Sequence, residues 1–400
     1  MSTQYTIVET APASLTTFSS KPKQAAPKPS WRPYMELTRF SKPAGLLGVY
    51  FPYFIGFLYS VNLTNPKALS GIDWVKLSAV FLLDGLILRS FGCAWNDTVD
   101  QDLDRQVERC KKRPLARGAI TTPDALATTL ILAVSRHVLF YATLPTRAAQ
   151  HALFTTVLGL VYPFMKRFSN FPQLCLGLGV GWAVFLVDAV VVDGAYEAGP
   201  TTKLDVQDRT KAMLAMFACQ SLFNITYDTV YAFQDIQDDL KAGVGSLAIA
   251  VRYHPKVFLL SIASAMAGFL WATVSWGGLN RGPFLIGAGL SSLAAFVMLA
   301  RLNVWDPRRC RDFFVNSQWW VSGVLVMGLV AQEIFTVKSL DRQGLASTLL
   351  VFYDAAMLAT SPSVAHSEAR NAAGSAEVAT ASISRQLSMQ YHCNSDVSRT

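Results

Sequence analysis

Apolar runs of about 17–25 residues, the length that crosses a bilayer, recur along the chain. They lie at 44–61, 75–95, 123–143, 148–165, 173–192, 211–231, 256–276, 283–303 and 315–337. The pattern predicts an all-α integral membrane protein, a bundle of about nine transmembrane helices around a central cavity. An odd number of spans puts the termini on opposite sides. Outside the runs the chain changes character. Residues 1–30 are rich in Ser, Thr, Ala, Pro and Lys, and residues 341–400 turn Ser/Ala-rich and polar. Both are expected to be disordered tails flanking a membrane domain at 31–340. Leu345–Thr360 is apolar enough to suggest a tenth span, but Asp354 in its middle argues against one.

Composition agrees with the pattern. The chain of 400 residues is 52% hydrophobic and 16% charged, against about 25% charged in soluble domains. Six cysteines are scattered without a CxxC pair, so neither a disulfide framework nor a zinc site is indicated. The formal charge of +8 would suit nucleic acid in a soluble protein. Here the basic residues report topology instead, and no nucleic-acid partner is expected. They gather on alternate loops: Arg32, Arg39 and Lys42; Arg105, Arg109, Lys111, Lys112, Arg113 and Arg117; Lys166 and Arg167; Lys241, Arg252 and Lys256; Arg301, Arg308, Arg309 and Arg311. These loops are expected to face the cytosol. The N-terminal stretch has no apolar core of a secretory signal and lacks the arginines of a mitochondrial transit peptide.

Two acidic clusters stand at the polar ends of apolar runs, where carboxylates are costly unless they bind something. Asn96, Asp97, Asp100 and Asp104 are spaced by helical turns and share one face, and Asp228, Asp235 and Asp239 are expected to do the same. Four spans separate the clusters, so both open to the same side and can meet. Two opposing faces of carboxylates would cage Mg²⁺ shared with substrate phosphates. Asp102, Asp238 and Glu108 fit a solvated cap as well as a site. Asp100, Asp102 and Asp104 mimic the start of a calcium loop, but Arg105 stands where glycine is needed and Lys111 where the bidentate Glu belongs. The histidines show no ligand spacing.

The first cluster reads Asn96-Asp97-Thr-Val-Asp100-Gln-Asp-Leu-Asp104 and is followed by Arg113-Pro114-Leu115-Ala-Arg-Gly118. The second reads Tyr227-Asp228-Thr-Val-Tyr231-Ala-Phe-Gln234-Asp235-Ile-Gln-Asp238-Asp239. With Arg39-Phe-Ser-Lys42-Pro43-Ala-Gly45 and Tyr162-Pro163-Phe-Met-Lys166-Arg167 before Pro172-Gln173-Leu174, these blocks resemble the UbiA-type membrane prenyltransferases. The resemblance spans about residues 34–335 in the family's order. It implies a prenyl diphosphate donor, an aromatic acid acceptor, a lipid bilayer setting and Mg²⁺ as cofactor. Metal would fall to Asp97, Asp100, Asp104, Asp235 and Asp239, and the diphosphate to Asn96, Arg113, Lys166 and Lys241. Arg89, Tyr162, Lys166 and Asp228 would serve catalysis. Arg89 matches the family arginine that clamps the acceptor carboxylate; its plain alternative is an ion pair with Asp84 or Asp97. One departure is Gly181-Trp182 where the family has Asn-Trp, which alters the expected acceptor pocket.

Within that family two acceptors compete, a phenolic polyketide acid of meroterpenoid biosynthesis and 4-hydroxybenzoate of ubiquinone biosynthesis. The N-terminal composition favours the first, in the endoplasmic reticulum or another internal membrane rather than the mitochondrial inner membrane, with farnesyl diphosphate as the donor. Two other classes fit worse. An alcohol phosphotransferase would carry a DGxxAR arrangement, absent here, and a transporter would place its carboxylates near mid-span.

Overall fold

The nine apolar stretches all fold as helix, because lipid leaves backbone groups no other partner. The structure is a computed structural model that describes residues 30–40, 44–64, 71–193, 204–280 and 282–336. Lys42, Pro43, the segment Leu345–Thr360 and most of both expected tails lie outside the described residues. After a short α1 (Arg32–Leu37) come α2 (Ala44–Asn62), α3 (Gly71–Val99), a one-turn α4 (Gln101–Asp104), α5 (Thr122–Thr143) and α6 (Thr146–Phe168). Then follow α7 (Pro172–Gly181), α8 (Ala183–Asp193), α9 (Val206–Ala232), α10 (Ile236–Ala242) and α11 (Leu247–Ala250). The chain ends in α12 (Pro255–Trp276), α13 (Pro283–Arg301), α14 (Pro307–Ser317) and α15 (Val324–Thr336). No strand occurs among the described residues.

Seven of these helical segments are long and apolar enough to cross a membrane, counting α7 with α8 and α14 with α15 as single rods. The other two expected spans, α6 and α9, have 23 and 27 residues and so the length of a span. The hydropathy of α9 is lower for a visible reason: it buries Gln220, Asn224, Thr226 and Thr229 among its apolar residues. It packs against α7, α12 and α14 and touches α2 and α8, so its polar groups face protein. The periphery is the reverse. Ile131, Trp271 and Ile286 are each more than 60% exposed, an arrangement suited to lipid tails rather than water.

Two features fix the helices around the site. The first is a fully buried ion pair, Arg136 Nε to Asp84 Oδ1 at 2.8 Å. Tyr53 Oη donates to Asp84 at 2.7 Å, and Arg136 also donates to the Ala152 carbonyl and to Thr156. This ties α2, α3, α5 and α6 together. The second is a glycine-lined crossing of α7 over α9. A Cβ on Gly177 would stand 2.7 Å from the Ser221 carbonyl oxygen and 2.4 Å from Ile225 Cγ1, and one on Gly181 would stand 3.0 Å from the Ser221 amide. An Asn at position 181, as in the family pattern, would not fit this approach. Gly177→Ala is expected to destabilise the fold by about 1–3 kcal/mol, as overpacking does. A thermal melt in detergent checks this, and an unchanged midpoint would contradict the close crossing.

Candidate active site

The first acidic cluster begins at the end of α3 and holds its helical pitch beyond it. The Asp100 amide donates to the Asn96 carbonyl at 2.9 Å and the Asp104 amide to the Asp100 carbonyl at 2.8 Å. Asn96 and Asp100 therefore point together at α6, where Lys166 Nζ donates to Asn96 Oδ1 at 2.7 Å and to Asp100 Oδ2 at 2.6 Å. The ammonium also lies 5.0 Å from the centre of the Tyr162 ring, one turn back on α6. Asp97 faces another way. Both its oxygens accept from Arg39 Nη2 at 2.8 Å, and Arg113 Nη1 joins Asp97 at 3.0 Å to Asp104 at 2.8 Å. Asp97, Asp100 and Asp104 are all at most 5% exposed.

Holding Arg39 in this place has a backbone cost. It is the non-glycine residue with positive φ, at 55°, among the described residues, a conformation that costs on the order of 1–3 kcal/mol. Its carbonyl accepts from Arg89 Nη1 at 3.0 Å and its own Nη1 donates to the Glu36 carbonyl at 2.9 Å.

The second cluster departs from expectation. Asp228, Asp235 and Asp239 do not share one continuous helical face, because α9 stops at Ala232 and a 3₁₀ turn, Phe233–Asp235, precedes α10. Phe233 is buried against Trp305, with ring centroids 5.6 Å apart, and Ile236 is buried beside it. Those two anchors tighten the turn. At the other end Gly243, at φ 69°, stops α10 in the left-handed conformation that glycine adopts freely. Asp235 consequently points at the turn after α4, where it pairs with Arg109. Arg109 Nε reaches it at 2.9 Å and Nη1 donates to Tyr231 Oη at 3.0 Å.

The expected meeting of the two clusters does occur. Besides Arg109 with Asp235, the Glu108 amide donates to Asp238 at 3.1 Å, and the Gly245 amide donates to the Lys166 carbonyl at 2.8 Å. Asp228, half-buried, accepts from the side chain of Gln173, whose Oε1 in turn takes the Leu247 amide at 2.9 Å.

A preformed carboxylate cage is not what the structure shows. Among the described residues no three His, Cys, Asp or Glu side chains converge closely enough to hold a metal. Arginines and Lys166 stand between the carboxylates instead. The donors nonetheless suit a hard dication, being oxygen throughout. Asp100 Oδ1 is buried without a partner. Burial and the neighbouring charge of Asp235 push the Asp239 carboxyl up to about 7, and burial pushes Asp104 up to about 6 despite Arg113. Burial disfavours the charged form of both carboxyls, and a nearby dication would favour it. Lys241 does not join the group: its side chain is 77% exposed and its nearest carboxylate is Asp238 at 3.9 Å. Asp102 is likewise outside, half-exposed and paired with Arg167 at 2.6 Å, as the solvated-cap reading has it.

Arg89 makes neither of the ion pairs that would have given it a purely structural role. Asp84 belongs to Arg136, and Asp97 to Arg39 and Arg113. Its guanidinium lies against α2 so closely that a Cβ on Gly45 would stand 2.5 Å from Nε. Sequence reasoning overlooked three participants: Arg39, Arg109 and Gln173. Arg39 and Gln173 lay inside quoted motifs and Arg109 among the basic loop residues, and the missing signal was which partner each would meet.

With this geometry in hand, comparison with known proteins gives a consistent result. A sequence model of the UbiA prenyltransferase family matches residues 49–323. The prenyltransferase ascA of Acremonium egyptiacum is 35% identical over 72% of this chain and 83% of its own length. The DMOA farnesyltransferase nvfB of Aspergillus novofumigatus is 34% identical over 74% and 92%. A 4-hydroxybenzoate octaprenyltransferase of a Shewanella species is 31% identical over 77% and 99%. Among solved structures, an apo UbiA homologue from Aeropyrum pernix superposes with a TM-score of 0.56 at 25% identity, over 73% of this chain and 98% of that one. A homologue from Archaeoglobus fulgidus bound to DMAPP and Mg²⁺ gives 0.54 at 16% identity, over 75% and 99%.

Proposed function

This chain belongs to the UbiA prenyltransferase family and is a multi-pass membrane aromatic prenyltransferase, and on that premise we propose that it attaches a farnesyl group to a phenolic polyketide acid. The observation that carries the site is the junction of the two acidic clusters with Lys166, Arg113 and Arg109 at one end of the bundle. The relatives named for fungal prenyl transfer, one of them a farnesyltransferase, support the choice of donor and acceptor.

Asn96, Lys166 and Arg113 would hold the diphosphate. Asp97, Asp100, Asp104, Asp235 and Asp239 would hold Mg²⁺, which supplies positive charge where pyrophosphate leaves. A homologue of the same fold is bound to DMAPP and Mg²⁺, which supports a metal-dependent reading. Cations fixed before reaction stabilise such developing charge most effectively. The carbon–oxygen bond of the prenyl diphosphate breaks with its electron pair going to pyrophosphate, and a ring carbon of the acceptor attacks the allylic cation. The ring then loses a proton, for which Asp228, held by Gln173, is the available carboxylate. The Tyr162 ring, under the Lys166 ammonium, would help hold that lysine toward the diphosphate. A bundle interior in lipid would exclude water that would quench the allylic cation. All nine helical segments serve as spans in this reading, α9 as an inner one, with the acidic end toward the cytosol in an internal membrane such as the endoplasmic reticulum.

The test is product mass. Membranes carrying the enzyme, given geranyl, farnesyl, geranylgeranyl and longer diphosphates against a panel of phenolic acids, are expected to yield farnesylated polyketide-type acids. Exclusive use of a long polyprenyl donor with 4-hydroxybenzoate would replace this reading by the ubiquinone one.

A further inference from the structure

Gln318 is fully buried, yet both polar atoms of its amide lack a hydrogen-bond partner. Buried amides rarely go unpaired, and those that do call for an explanation. Its backbone is unusual too. Between α14 and α15 the chain widens into a π-helical turn, Gln318–Gly323, a form that recurs at functional sites. Ser291 of α13 fastens this turn by donating to the Val321 carbonyl at 2.9 Å.

The widened turn delivers the amide to the glycine face of α2. A Cβ on Gly48 would stand 3.0 Å from Tyr227 Oη and 3.8 Å from Gln318 Nε2. Gly45, one turn earlier on the same face, carries the Arg89 guanidinium. Residues three apart on a helix sit about 5–6 Å from each other, a separation comparable to one aromatic ring. Pro52 adds to the polarity, since it has no N–H to offer the Gly48 carbonyl.

We propose that Gln318 is a specificity-determining residue whose side-chain amide hydrogen-bonds a ring hydroxyl of the acceptor while Arg89 holds the carboxylate. This rests on the acceptor being a phenolic acid. An acceptor presenting both groups fills the two partner sets at once. An acid lacking the hydroxyl would leave the amide buried and unpaired, a penalty that a hydrogen-bonding site imposes on such analogues.

The test uses two unreactive competitors, each methylated at the ring carbon that would be prenylated, one with the hydroxyl and one with hydrogen in its place. Their inhibition constants against the acceptor are compared in wild-type enzyme and in Gln318→Met. Wild-type enzyme is expected to prefer the hydroxylated acid by about tenfold, one hydrogen bond's worth. Gln318→Met is expected to abolish the preference and leave the prenyl diphosphate KM unchanged. The variant should melt at the wild-type temperature or higher, because it removes a buried amide with no partner. An unchanged preference in the variant overturns the proposal. So does a variant that fails to fold, which would mean the amide has a structural partner. Wild-type enzyme that prenylates no phenolic acid overturns the functional reading itself, a result distinct from either.

Discussion

Asp100→Ala is expected to lower turnover by on the order of 10²–10³, the cost typical of removing one fixed electrostatic group from an active site. Asp100 is 3% exposed, one of its oxygens takes Lys166 Nζ at 2.6 Å, and the other has no partner. Truncation removes a metal ligand in the proposed assignment and also frees the lysine. The control is Asp102→Ala, two residues away. That carboxylate is half-exposed and paired with Arg167, and surface ion pairs contribute about 0–1 kcal/mol. Its loss should leave kcat within a small factor of wild type. Steady-state kinetics with saturating Mg²⁺ separates the two. Equal, mild effects in both variants would remove Asp100 from the site.

That contrast illustrates what the amino-acid sequence discloses. Helical spacing is local, so Asn96 and Asp100 could be placed on one face from the chain alone, and the structure puts both on Lys166. Partner choice between distant segments is not local. Nothing in the spacing distinguishes Arg39, which takes Asp97, from Lys241, which stays in solvent. The second cluster failed for a related reason. Its spacing fits an uninterrupted helix, but the contact of Phe233 with Trp305, seventy-odd positions on, tightens the chain into a 3₁₀ turn. The apolar run at 211–231 was legible as a span although α9 carries polar residues along it, because those residues face protein, not lipid. The π turn at Gln318 left no mark on the hydropathy pattern at all.

Arg89→Ala is expected to raise the acceptor KM and lower kcat/KM for the acceptor by about thirtyfold or more. Truncating one partner of a buried charge pair costs about 2 kcal/mol at the low end. The prenyl diphosphate KM should hardly move, since Arg89 donates to the Arg39 carbonyl at 3.0 Å and not to the Lys166 group. A guanidinium at a membrane-buried position without a carboxylate is costly, and among the described residues none pairs with it. The acceptor's carboxylate would supply that partner and hold the nucleophilic ring carbon in place, so the residue acts by positioning. Arg89→Lys should rescue only in part, because an ammonium cannot form the bidentate pair. Gly45→Ala offers a second route to the same defect: its new methyl group must push the guanidinium aside, with Nε only 2.5 Å away. The decisive measurement is on substrate rather than enzyme. Wild-type enzyme that accepts the methyl ester as well as the free acid would show that no carboxylate is clamped, leaving Arg89 to support the backbone of Arg39.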